Sequence, residues 1–202
     1  MRTPILGLVA AAALFAPAVA LAQGESLTSA FQAVCLATDA APAAVAAQAA
    51  ATGYVRPPNA MIAAMPTSMD IKDPVVTWKV YDGGLDMVVT GHMTLKSTSA
   101  LEGDVCMLMQ IPSAASPTHQ LADVLGVGAP ITSGGAEMFI YELQRDGHRR
   151  AVDANHAGDL VGLMEQRRLR IAGIGATAAD GQQIGIMFLM IPQPAPPPPA
   201  TR

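Results

Sequence analysis

The sequence predicts a single α+β domain: an antiparallel sheet of about six or seven strands, with an N-terminal αα-hairpin and two further helices packed on it. Three observations point there. Three Asp-Gly pairs, Asp82-Gly83, Asp146-Gly147 and Asp180-Gly181, each separate apolar segments of β character, and that dipeptide favours the tight turn of a hairpin. Apolar residues at helical spacing are confined to the opening of the chain and to two short stretches further on. The only two cysteines, Cys35 and Cys106, fall in the opening helix and in a strand, so a bond between them fastens helix to sheet.

Residues 1–22 read as a signal peptide: Arg2 precedes an apolar stretch from Ile5 to Ala18, and Ala20-Leu21-Ala22 supplies small residues before Gln23. The apolar stretch is shorter than the ~20 residues of a spanning helix, and Gln23 stands where a lipobox needs cysteine. The expected location is therefore periplasmic or secreted, with no transmembrane segment after cleavage, in an oxidising compartment where two cysteines form a disulfide. Residues 23–191 form the expected domain, and residues 192–202, rich in proline, an extended solvated tail.

Within the domain, Ser26 caps a helix carrying Leu27, Phe31, Val34 and Cys35 on one face. Asp39 is placed to cap a second helix with Pro42 at its start and Gly53 just past its end. Pro57, Pro58 and Pro66 then break periodicity, leaving at most a short helical turn over Met61–Met65. The strands follow. Val75–Tyr81 pairs with Leu85–Leu95, Met138–Gln144 with His148–Val152, and Leu169–Ala176 with Gln183–Ile191. Asp104–Ile111 is apolar on both faces and is predicted to lie centrally. One further helix, Pro117–Leu125, is capped by Ser116, and the other, Ala157–Gln166, by Asn155 or His156.

Phe31-x3-Cys35, followed by alanines and ending in Gly53-Tyr54, resembles the N-terminus of an uncharacterised family of small exported proteobacterial proteins. That resemblance spans about thirty residues, implies export and a compact domain, and transfers no catalytic residue.

Charge narrows the function classes. Without Arg2 the chain carries eleven basic against sixteen acidic side chains, a formal balance of −5. No basic patch is interleaved with aromatics, which argues against nucleic acid, and Arg167-Arg168-Leu169-Arg170 reads as a solvated face. Gly-x-Ser-x-Gly is absent, and Ser133-Gly134-Gly135 reads as a flexible loop. Gly173-x-Gly175 completes no dinucleotide fingerprint. The acids Glu102, Asp104, Asp153 and Asp159 read as turns and caps, and His148, Asp153 and His156 match no zinc spacing.

Twelve methionines in an exported chain raise the question of Cu(I), with His92, Met93, Met107 and Met109 as candidate ligands. Period-two geometry sets His92 and Met93 on opposite faces, however, and methionine is a common core filler. The preferred expectation is an exported, non-catalytic envelope module that binds another envelope protein or a small ligand, without a cofactor. The alternatives are a periplasmic copper-binding protein and a hydrolase with an unrecognised site. A histidine beside a carboxylate and a hydroxyl in a substrate-sized cleft would favour the hydrolase; three converging Met or His side chains would favour the metal.

Overall fold

The computed structural model describes residues 26–63, 70–95, 101–113, 118–133, 135–153, 157–179 and 181–194. The expected signal peptide, the caps Ser116, Asn155 and His156, the turn residue Asp180, Met65 with Pro66, and the tail beyond Pro194 lie outside them.

Eight strands form one antiparallel sheet: β1 Ile71–Tyr81, β2 Gly84–Leu95, β3 Leu101–Ile111, β4 Ile131–Ser133, β5 Ala136–Leu143, β6 Arg149–Ala151, β7 Leu169–Ala179 and β8 Gln182–Gln193. Their order is β1-β2-β3-β8-β7-β5-β4, with β6 also paired to β5. The sheet is larger than the six or seven strands expected. The additional strand is β4, where a flexible loop was predicted. Three residues are too few to show alternation, and Ser133 pairs with Ala136 across a turn at Gly135, whose φ is +81°. Gly83, Gly147 and Gly181 hold positive φ at the three predicted hairpins.

Strand β3 is central, as its two apolar faces require, between β2 and β8. Strand β8 also runs past the expected boundary at residue 191. Pro192 pairs with Gly103, where a Cβ would stand 2.2 Å from the Ile191 carbonyl oxygen and 2.9 Å from the Pro192 Cα, so this close backbone approach requires glycine.

Alternation divides the sheet into two faces. The first buries Val88, Cys106, Leu108, Phe139, Tyr141 and Leu189, and the helices α1 (Leu27–Phe31), α2 (Pro42–Ala51) and α4 (Thr118–Leu125) supply the other half of that core. Phe31, Cys35, Val45 and Leu121 are completely inaccessible there. The Cys35–Cys106 disulfide joins helix to strand across a sequence separation of 71, with 5.5 Å between the Cα atoms. The second face carries Val76, Met87, Val89, Met107, Met109 and Phe188, and α5 (Ala157–Glu165) packs against β7 and β8. A short helix, α3 (Asn59–Ala63), lies in the proline-interrupted region. No helix among the described residues is long and apolar enough to cross a membrane.

The helical opening is less regular than the αα-hairpin expected. Ser26 caps α1 as predicted, accepting from the Ser29 amide at 3.2 Å. The helix then widens to a π-helix over Gln32–Leu36, with Ala37 N–H donating to the Gln32 carbonyl at 3.0 Å. Asp39 does not cap α2. Ala41 holds that position with no side-chain bond, while Asp39 and Ala40 take left-handed φ values of 50° and 51°. The Asp39 carboxylate is claimed instead by Arg170, which is 5% exposed and donates to it from Nε at 2.7 Å and from a terminal nitrogen at 2.5 Å. A guanidinium buried in the first face needs a counter-charge more than an exposed helix start needs a cap.

Candidate functional site

A cavity lies between α5 and the β5–β6 hairpin. It is a cleft of about 520 Å³ lined by Glu142, Arg150, Asp153, Asp159, Leu163 and Arg168, among others. Its centre follows from strand alternation. Tyr141 points into the first-face core, so the next residue, Glu142, faces the second, and β6 sets Arg150 directly opposite it.

The Glu142 side chain is only 3% exposed. Arg150 Nε donates to one of its carboxylate oxygens at 2.8 Å, and a terminal nitrogen of Arg168 pairs with the other. Two guanidiniums on one buried carboxylate satisfy its desolvation cost. The end of α5 positions Arg168. Its amide donates to the Leu163 carbonyl at 2.8 Å and that of Arg167 to Met164 at 2.9 Å, the Schellman pattern, with Arg167 at φ +53° in the place glycine usually takes. This turn also directs Arg167 to Asp104, 3.0 Å away.

A second polar cluster occupies the first face near the start of β3. His92 Nδ1 lies 3.4 Å from Asp104 and Nε2 lies 3.6 Å from Glu102, and Thr94 reaches Glu102 at 3.5 Å. Histidine, carboxylate and hydroxyl are thus neighbours, but none of the three lines the cleft. At the opposite end of the same face, Asp86 is 1% exposed and accepts from Tyr81 and from Gln110, each at 3.1 Å. Burial, and then the Asp86 charge, push the Tyr81 hydroxyl up to about 12. Burial likewise pushes Tyr141 up to about 12.

The candidate copper ligands are divided. Met107 and Met109 share one apolar cluster with Met87, Met93 belongs to the neighbouring cluster with Val105 and Met190, and His92 lies on the opposite face. No group of three or more His, Cys, Asp or Glu side chains among the described residues is arranged to hold a metal ion. Asp153 and Asp159, which the sequence suggests as turn and cap residues, both line the cleft. Arg168 and Arg170, read as members of a solvated run, are instead engaged on Glu142 and Asp39.

Sequence reasoning passed over Glu142. Its signal was present: a lone carboxylate in the apolar run Phe139-Ile140-Tyr141-Glu142-Leu143 requires a paired cation if the strand is buried. Compared with known proteins, the chain matches no family model, no curated protein and no solved structure.

Proposed function

We propose that the protein is an exported, non-catalytic envelope module that holds a small charged ligand in the cleft beside α5. The observation that carries this reading is the clamped Glu142 carboxylate in a cavity of about 520 Å³, a volume within the range of small-molecule sites. The cleft presents two guanidiniums and three carboxylates, so its chemistry suits a zwitterion, such as a free amino acid or a short peptide, better than a simple anion. The buried disulfide is consistent with residence in an oxidising compartment.

Calorimetric titration of the mature protein with free amino acids and glycyl dipeptides tests the reading. A Kd between about 1 mM and 1 μM is expected, because a polar and open cleft recovers little apolar free energy. Arg150, whose side chain is 65% exposed, is the variant of choice, and Arg150→Ala should weaken binding without unfolding the domain. Absence of heat with millimolar probes of both kinds defeats the proposal.

A soft-metal role is the second reading, favoured by the shared cluster of Met87, Met107 and Met109. Its signature is a copper adduct in native mass spectrometry of the mature protein, lost in Met109→Leu.

A further inference from the structure

We infer, resting on the ligand reading of the cleft beside α5, that its occupant is an extended tripeptide with free termini and an apolar central side chain. Charge in the cleft is separated into two ends. At one end Arg150 and Arg168 share the single Glu142 carboxylate, which leaves one positive charge in surplus. Arg150 holds Glu142 through Nε and one terminal nitrogen, and its side chain is 65% exposed, so its other terminal nitrogen can reach a ligand carboxylate. Arg168 adds a buried Nε with no hydrogen-bond partner among the described residues. The other end is acidic. Asp159, exposed in the first turn of α5, and Asp153, just past β6, line the same cleft.

Two walls run from the cationic end to the acidic one, and their lengths agree. On the helical wall Gln166 accepts from Arg168 at 3.3 Å, while its own amide still donates to the Gly162 carbonyl at 3.2 Å. Asp159 lies seven residues back along that helix, about 10 Å at 1.5 Å per residue. On the strand wall the Val152 amide donates to the Ile140 carbonyl at 3.0 Å, which keeps the chain extended beyond Arg150. Asp153, three residues on from Arg150, is therefore also about 10 Å away. A ligand that offers a carboxylate to the arginines and an ammonium to Asp159 has to span that gap. At about 3.3–3.6 Å per extended residue, one or two residues fall short and three reach it.

Gly162 marks the middle of the helical wall, three residues from Asp159 and four from Gln166. It stands inside α5, where glycine is a poor helix former. Neither conformation nor packing demands it there. Its φ is not positive, and a Cβ built on it meets no atom within 4 Å among the described residues. The space it leaves belongs to the cleft, which Leu163 and Val152 also line, so an apolar side chain on the central residue of the peptide fits there.

Calorimetric titration of the mature protein with glycyl-leucyl-glycine, triglycine, glycyl-leucine and leucine tests the inference. Glycyl-leucyl-glycine should bind roughly tenfold tighter than each of the others. Acetylating its amine, or Asp159→Asn with an unchanged circular dichroism spectrum, should raise Kd roughly threefold, the modest effect of a charge pair at an exposed carboxylate. Gly162→Leu should raise the thermal midpoint by about 2–4 °C, since leucine is the better helix former, and yet weaken the tripeptide roughly tenfold by filling its place. Leucine or glycyl-leucine binding as tightly as the tripeptide overturns the inference, as does a Gly162→Leu variant that binds like wild type. If Arg150→Ala still weakens those shorter probes, the ligand reading of the cleft stands and only the tripeptide assignment falls; absence of heat with every probe defeats both.

Discussion

Replacing both bridging cysteines, Cys35→Ala with Cys106→Ala, should remove a large share of the domain's stability. The bond closes a loop with a sequence separation of 71, and the chain-entropy relation assigns such a closure roughly 4 kcal/mol. Both residues are 0% exposed, so truncating the two sulfurs costs about 1 kcal/mol more. A total near 5 kcal/mol compares with about 5–15 kcal/mol for a whole domain. With a urea m-value of about 2 kcal/mol/M, the unfolding midpoint should fall by roughly 2–2.5 M. Urea titration of oxidised wild type against the double variant is the assay, and wild type unfolded in excess reductant should share the variant's midpoint. Hydrogen exchange should then rise first in Leu27–Leu36, the segment that the bond pins to β3. A midpoint change under about 0.5 M would refute the view that closing this loop governs stability.

Two further outcomes test the buried polar groups. Asp39→Asn, which tolerates the left-handed backbone there, should cost about 2 kcal/mol by stranding the buried Arg170 guanidinium, readable as a drop in thermal midpoint of several degrees; an unchanged midpoint would show the pair to be energetically idle. Tyr141, 2% exposed with its hydroxyl near 12 against 10.0 in the unfolded chain, contributes stability that is complete below pH 10 and lost as pH rises through 12, worth on the order of 3 kcal/mol. Absorbance at the phenolate band should show Tyr141 and Tyr81 keeping their protons past pH 10 while folded, and a folded protein titrating both near pH 10 would contradict the burial argument.

Much of the architecture was legible because it rests on local chemistry. Asp-Gly pairs encode hairpins through backbone conformations that glycine reaches cheaply, and period-two alternation in Val105–Ile111 placed β3 in the centre before any partner was known. The boundaries were less legible. Strand β4 is too short for a periodic signal, and β8 continues through Pro192 in a close backbone approach to Gly103 that no alternation announces. Asp39 was misplaced for a related reason: a capping residue and an ion-pair partner look identical in sequence, and the competing Arg170 is 131 residues away.

By itself the chain determined that Cys35 and Cys106 would face a common core, that antiparallel hairpins would dominate, and that His92 would point away from Met93. Those follow from periodicity and from a pool of only two thiols. Tertiary structure alone decided which side chains meet across the cleft. Glu142, Arg150 and Arg168 come from a strand, its hairpin partner and the turn after a helix, and their convergence depends on the β5–β6 register and on the left-handed turn that ends α5. Such pairings are fixed by the competition of buried charges for counter-charges across the whole fold, which no local window of sequence contains.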